Sequence, residues 1–277
     1  METIHGKPVD RSLARPFVKW AGGKGQVLAD LLSRMPARYD RYFEPFLGGG
    51  APFFASCHEE AFLSDRNPFL INAYSVVRDR FDDLAESLAR HRPDRDYYYA
   101  MREADPATFS DVERASWFIY LNKTCYNGLW RVNSRGKYNV PYGRYKNPRI
   151  LDAENLRRAS HALRGATIAC QDFEDALQGA REGDFVYADP PYYPLSETAG
   201  FTGYVEGGFG LGEQVRLAEA VRRLTNAGVM VMLSNSDTAP VWGLYSGFKI
   251  ETVQVKRSIN SRGDRRGPVS ELIVRNY

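Results

Sequence analysis

Two consecutive prolines, Pro190 and Pro191, end the apolar run Asp184-Phe185-Val186-Tyr187-Ala188, and this stretch constrains the chain most. The run is short, rich in aromatic and β-branched residues, and preceded by Gly183, which predicts a buried strand of a parallel sheet. Neither proline can donate to a ladder, so the strand stops at Asp189 and the chain turns outward. Open α/β sheets bind their ligands beyond the carboxyl ends of the strands. To that edge the turn delivers the Asp189 carboxylate, the carbonyls of Pro190 and Pro191, and the Tyr192 ring. Asp189 and the Pro190 carbonyl can accept the two N–H bonds of an exocyclic amine, and Tyr192 can stack on a flat base. Asp before Pro is also common turn chemistry, so the tetrapeptide by itself leaves a plain turn as the alternative.

Two glycine-rich segments lie upstream. The first, Phe17 to Gly25, holds Lys19, Trp20, Ala21, Gly22 and Lys24. Lys24 is followed by Gly25 instead of Ser or Thr, and the glycine spacing is not that of a phosphate loop, which argues against an NTP site. Taken singly, the segment reads as a turn before a helix over Gln26–Met35. The second runs Tyr42-Phe43-Glu44-Pro45-Phe46-Leu47-Gly48-Gly49-Gly50 into Ala51-Pro52-Phe53-Phe54, and reads as strand, glycine turn, helix. A second strand, Ala61–Ser64, closes at Asp65, where a Rossmann-type fold grips ribose hydroxyls. The missing G-x-G-x-x-G pattern argues against NAD, and an adenosyl ligand without phosphates fits better.

Net charge is only +3, but its distribution is uneven. Between Arg114 and Leu151 there is no acidic residue, whereas Arg114, Lys123, Arg131, Arg135, Lys137, Arg144, Lys146 and Arg149 all fall there. Interleaved with them are Tyr126, Asn127, Trp130, Asn133, Tyr138, Asn139, Tyr142 and Tyr145. A solvated face usually mixes both signs, so this is the footprint of a polyanion site. Ile71–His91 and Val112–Asn122 carry helical apolar spacing, for example Val77, Phe81, Leu84 and Leu88. Asn133-Ser134-Arg135-Gly136-Lys137 reads as a turn between two extended arms. Residues 67–152 are therefore expected to be a mainly helical insert carrying a basic hairpin, with 1–66 and 153–277 forming the sheet domain.

The sheet is expected to resume at Ala166–Cys170, ending at Gln171-Asp172-Phe173. After the opening strand come a glycine stretch, Gly207–Gly212, that reads as mobile, a helix Glu213–Asn226 and a strand Val229–Leu233. A closing pair, Phe248–Val255 and Ser270–Asn276, is joined by a second basic loop from Lys256 to Arg266. Cys57, Cys125 and Cys170, with His5, His58, His91 and His161, lack the spacing of a zinc site, so no metal centre is expected. Dispersed cysteines, and the lack of a signal peptide or a run of eighteen apolar residues, point to a soluble cytoplasmic protein.

Taken jointly, these segments resemble the Dam-type DNA adenine-N6 methyltransferases, which use S-adenosylmethionine and recognise GATC. The similarity runs through Lys19-Trp20-Ala21-Gly22-Gly23-Lys24, Glu44-Pro45-Phe46 with its glycines, Asp65, and Tyr126-Asn127-Gly128-Leu129-Trp130-Arg131. It continues in Asn139-Val140-Pro141-Tyr142-Gly143-Arg144-Tyr145, Gln171-Asp172-Phe173, Asp189-Pro190-Pro191-Tyr192, Lys256-Arg257-Ser258-Ile259 and Glu271-Leu272. The order is that of the class: cofactor glycines, recognition insert, catalytic tetrapeptide. The resemblance implies a Rossmann-like mixed α/β sheet of the S-adenosylmethionine-dependent methyltransferase type, with an inserted, mainly helical DNA-recognition domain carrying a β-hairpin.

Roles follow from the resemblance residue by residue. Asp189, Pro190, Pro191 and Tyr192 would hold the target adenine. Trp20, Ala21, Gly22, Lys24, Phe46, Gly48, Gly50 and Asp189 would line the cofactor pocket, with Asp65 on the ribose and Asp172 and Phe173 at the cofactor's adenine. Arg131 would read a guanine, Leu129 and Pro141 would touch base edges, and Tyr126 would wedge beside the flipped base. Lys19, Lys123, Asn127, Asn133, Arg135, Lys137, Asn139 and Arg144 would serve base or phosphate contacts. The expected partner is double-stranded DNA, bound by a monomer or by a dimer on DNA, in a bacterial or phage-encoded setting. Trp130 and Lys123-Thr124-Cys125 depart from the pattern. An amine methyltransferase acting on RNA or a protein glutamine, and a DNA-binding protein with a vestigial cofactor fold, are the competing readings.

Overall fold

The computed structural model describes residues 14–56, 58, 60–194, 209–256 and 268–277, together with the backbone pairs Thr3–Ile4 and Lys7–Pro8. His5, Cys57, Gly207 and Gly208 of the glycine stretch, and the basic loop from Arg257 through Arg266, lie outside the described residues. One sheet is built from β1 (Tyr42–Glu44), β2 (Ala61–Asp65), β3 (Ala166–Cys170), β4 (Phe185–Ala188), β5 (Met230–Ser236), β6 (Lys249–Lys256) and β7 (Pro268–Arg275). Its order is β3-β2-β1-β4-β5-β7-β6. The first five strands are parallel, and β7 runs antiparallel to both neighbours.

Every residue of β1 and β4 is buried, as strands covered on both faces must be. Asp184 fixes where β4 begins. Its carboxylate is fully buried and accepts from Arg41 Nε at 3.0 Å, Arg41 Nη2 at 2.6 Å and Arg181 N at 2.8 Å. The strand register then pairs Tyr42 with Phe185 and Phe43 with Val186. Because β1 lies between β2 and β4, the strand order reverses there, and the turns after β1 and β4 open onto one crevice.

Helices cover both faces. α1 (Leu28–Arg34) and α2 (Ala51–Ala55) flank β1, and α3 (Pro68–Asp79) starts at an Asn67 cap whose side chain accepts from the backbone N–H of Phe69 and Leu70. α3 is tied to the sheet layer by Tyr74 OH donating to Gly48 O at 3.1 Å and Arg78 Nη1 to Ala166 O at 2.8 Å. The helical spacing of Ile71–His91 is interrupted at Arg80 (φ −135°, ψ 40°), and α4 (Phe81–Ala89) starts anew. The break turns Leu84 and Leu88 toward α6 (Asp111–Thr124) instead of the sheet. α5 (Arg95–Glu103) also packs on α6. α6 is held at its start by a reciprocal Ser110–Glu113 capping box and is buried from Ala115 to Asn122.

α7 (Ala153–Leu163) returns the chain to β3, and the short α8 (Phe173–Leu177) follows it. α9 (Leu211–Asn226) places Leu217, Ala218, Val221 and Leu224 against Val186, Ala188, Val231 and Leu233, and α10 (Ala239–Leu244) borders the same core. Several expected boundaries move by one to three residues. A 3-10 turn over Lys24–Gln26 precedes α1, which begins at Leu28 and not Gln26; α9 begins at Leu211; β5 runs on to Ser236 because β7 pairs with it there. The basic hairpin is a turn closed by single contacts: one Val132–Tyr138 bridge, with Asn133 N donating to Lys137 O and Asn139 N to Arg131 O. Among the described residues no helix is long and apolar enough to cross a membrane.

Candidate active site

The chain leaves β4 at Asp189, and the following loop is held from three sides. Gln214 of α9, fully buried, donates from Nε2 to Pro191 O at 2.9 Å and accepts on Oε1 from Asn235 Nδ2 at 2.9 Å. Asn235 Oδ1 in turn accepts from Tyr193 N at 3.2 Å, and Ser236 Oγ donates to Tyr193 O at 2.7 Å. Tyr192 OH donates to Glu271 Oε2 of β7 at 2.9 Å. None of Gln214, Asn235 and Ser236 is marked by the sequence, because their partners, backbone atoms and one another's side chains, are distant along the chain.

Lys24 is 5% exposed and puts Nζ 2.8 Å from Asp189 Oδ1, 2.7 Å from Gly22 O and 4.6 Å above the Tyr192 ring. The ion pair with Lys24 occupies the buried Oδ1, which meets no other donor among the described residues. Burial pushes Asp189 up to about 6, against the pull of Lys24, and the charge of Glu271 adds to the rise. Glu44, buried behind it and accepting from Tyr42 OH at 2.8 Å, is raised well above the usual carboxylate range by desolvation.

The glycine turn lies beside this pair. Gly48 has φ +48°, and a Cβ there would come 2.7 Å from Trp20 Cδ1, so the Trp20 ring packs directly on the glycine. Asp65 Oδ2 accepts from Gly48 N at 3.0 Å and Oδ1 from Asn67 N at 2.9 Å. The acid expected on a ribose therefore also braces the turn, and burial raises it. Gly50 (φ +65°) caps α2, with Tyr74 OH 2.8 Å from where its Cβ would stand. Phe46 stacks on Phe173 at 5.4 Å. Asp172 caps α8 through Glu174 N and is paired with Arg216 Nη2 at 2.9 Å, while the Arg216 guanidinium also lies 4.9 Å over Phe173. Ala21 and Gly22 are exposed on the turn that leads to Lys24.

The insert presents its predicted residues from a second loop system. Tyr126 is 51% exposed on a tight turn whose next residues, Asn127 (φ 55°) and Gly128 (φ 66°), are left-handed. Tyr126 N donates to Pro141 O at 2.8 Å, which sets the exposed Pro141 beside Tyr126. Arg131 is exposed and steadied by Asn139, whose Oδ1 accepts from Nε at 2.7 Å. Arg135, Lys137 and Arg144 are exposed, whereas Lys123 and Leu129 are half-buried. Burial, with Lys19 adding to it, lowers the Lys123 ammonium. Asn133 spends its carbonyl on the turn, accepting from the N–H of Arg135 and Lys137. Trp130 packs on Phe118, Tyr138 and Phe69, which explains its bulk as core filling.

Sheet order, the glycine turn after β1, the acid closing β2 and the Asp-Pro-Pro-Tyr loop after β4 together define the fold of an S-adenosylmethionine-dependent methyltransferase. Comparison with known proteins narrows the class. The model of the D12 class N6 adenine-specific DNA methyltransferase family matches residues 20–259, and the chain belongs to that family. It is 43% identical over 271 residues to the type II methyltransferase M1.LlaDCHI of Lactococcus lactis subsp. cremoris, covering 95% of each chain. With the type II methyltransferase M.MjaIII of Methanocaldococcus jannaschii it shares 42% identity over 286 residues, covering 95% of this chain and 99% of that one. With the DNA adenine methylase of Escherichia coli strain K12 it shares 39% over 265 residues, covering 94% of each. The enzyme is thus an adenine-specific DNA methyltransferase, which sets it apart from the RNA, glutamine and non-catalytic readings.

Proposed function

We propose that the protein transfers a methyl group from S-adenosylmethionine directly to N6 of an adenine in GATC, after that adenine has turned out of the duplex. The observation that carries this reading is the Asp189 carboxylate at the end of β4, held charged by Lys24 at 2.8 Å beside the Tyr192 ring. When bound, S-adenosylmethionine supplies an electrophilic methyl carbon on a sulfonium. The Gly48 turn, braced by Asp65, and the half-buried Trp20 and Phe46 rings, the latter backed by Phe173, would line that cofactor's site, with Asp65 and Asp172 as acceptors for its hydroxyl and amino groups.

In adenine the N6 lone pair is delocalised into the ring, so the amine is a weak nucleophile. Asp189 and the Pro190 carbonyl take its two N–H bonds, favour a pyramidal nitrogen and aim the lone pair outward. Raised to about 6, Asp189 is largely ionised at neutral pH, the form that accepts strongly and can take the N6 proton. No base acts before attack: the N6 proton becomes acidic once the N–C bond has formed, and then leaves through Asp189. Turning the base out costs a few kcal/mol, and Tyr126 is placed to fill the gap. Residues 67–152 act as the target-recognition unit, with Arg131 on a guanine and Leu129 and Pro141 on base edges. The enzyme would work in the cytoplasm, as a monomer or as a dimer on DNA.

A fluorescent 2-aminopurine in place of the target adenine tests the reading. Binding should raise its emission in GATC duplexes, and labelled methyl should enter GATC duplexes in preference to single-base variants. A 2-aminopurine duplex that binds with no rise in emission would remove base flipping, and equal labelling of the adenine-containing variants would remove GATC.

A further inference from the structure

Asn122 lies in the last turn of α6, is 1% exposed, and directs its whole amide at the backbone of other segments. Oδ1 accepts from Lys19 N at 2.8 Å, and Nδ2 donates to Lys19 O at 2.7 Å and to Gly128 O at 3.0 Å. Lys19 immediately precedes Trp20, whose ring rests on Gly48 in the glycine crevice. Gly128 closes the turn that presents Tyr126. One buried side chain thus grips the cofactor segment and the DNA turn together.

The two segments are also in hard contact. A Cβ at Gly128 would stand 2.4 Å from Lys19 Cβ, so only glycine permits this approach. A second link runs parallel to the first: Lys19 Nζ lies 4.6 Å over the Tyr145 ring, and Tyr145 OH accepts from Asn127 N at 3.1 Å. Burial within α6 explains none of this. Phe118, Ile119, Tyr120 and Leu121 precede Asn122 in the same core, and an apolar residue would fill it without the desolvation cost of an amide.

We propose that Asn122 is a positioning residue that couples cofactor binding to DNA binding. Ordering the Lys19–Trp20 segment around the cofactor fixes Gly128 and hence Tyr126, and seating Tyr126 in a duplex fixes Trp20. Linkage makes the effect reciprocal, with each ligand tightening the other by one shared factor. The inference rests on the proposed assignment of Trp20 to the cofactor and of the Tyr126 turn to DNA.

The test is calorimetric. S-adenosylhomocysteine is titrated into wild type and Asn122→Ala, with and without a short duplex carrying the sequence that the wild type methylates. In the wild type the duplex should tighten S-adenosylhomocysteine about 5-fold or more, and in Asn122→Ala about 2-fold or less. An unchanged factor in the variant, even with both affinities lowered, would reduce Asn122 to a structural role and overturn the proposal. So would a wild type that binds both ligands without coupling. A wild type that binds neither refutes the proposed function itself, and the coupling with it. Should the variant not fold, hydrogen exchange of the wild type decides: duplex alone must slow the amides of Trp20 and Gly48, and S-adenosylhomocysteine alone those of Asn127 and Leu129. Loss of either cross-protection overturns the inference.

Discussion

Lys24 Nζ sits 2.8 Å from Asp189 Oδ1, so the acceptor at the end of β4 shares its crevice with a buried cation. Burial and Lys24 pull on this carboxyl in opposite directions, and burial prevails, leaving it at about 6. The cation spans the crevice from the turn before α1 to the loop after β4. It keeps an acid that burial would neutralise charged at neutral pH.

A pH dependence follows, with opposite signs for activity and stability. Only the ionised carboxylate is a strong acceptor for the amine and can take up the N6 proton, so kcat/KM for DNA should fall as pH drops through about 6. Lys24→Met removes the opposing charge and should move that acidic limb upward. For stability, Asp189 is raised from 3.8 to about 6, so between those values the folded state binds more protons than the unfolded chain. Wild-type stability relative to Asp189→Asn should therefore fall as pH rises through that window. Urea unfolding at stepped pH and initial rates of methylation check both signs; an acidic limb unmoved in Lys24→Met would contradict the ion pair's role.

Gly48→Ala addresses the cofactor side. The left-handed backbone and the Trp20 ring at 2.7 Å leave no place for a methyl group. Strain of roughly 1–2 kcal/mol plus a displaced ring should weaken cofactor binding about 10-fold or more. Calorimetry with S-adenosylhomocysteine measures it, and unaltered affinity would take the glycine turn out of the pocket.

Arg131→Ala addresses sequence reading. Loss of a two-pronged contact to guanine should cost about 1–3 kcal/mol of discrimination at one position of the site. Asn139→Ala, which frees Nε of Arg131, should act at the same position and more weakly. Competition binding against single-base variants separates these outcomes from a uniform loss, which would mark a phosphate contact.

Local composition made some of this legible. The strand ahead of Asp189, the glycine turn after β1 and the antiparallel pair β6–β7 announce themselves through short apolar runs and their punctuation. The break at Arg80 was hidden because Val77, Phe81, Leu84 and Leu88 keep helical spacing across it. The turn read at Asn133–Lys137 is the one observed, closed by the Asn133 side-chain carbonyl, as Asn at a turn commonly does. The Gln214–Asn235 brace, the Arg216 hold on Asp172 and the Lys24 pairing with Asp189 join residues far apart along the chain. Such pairs are chosen by the packed fold, and periodicity carries no record of them.

The most direct measurement incubates wild type and Asp189→Ala with methyl-labelled S-adenosylmethionine and plasmid DNA, then maps the modified atoms. The account predicts label on N6 of adenine in GATC for the wild type, and none for Asp189→Ala while S-adenosylhomocysteine still binds it. Undiminished labelling by Asp189→Ala, or label at another atom in the wild type, would contradict the claim that Asp189 holds the amine that receives the methyl.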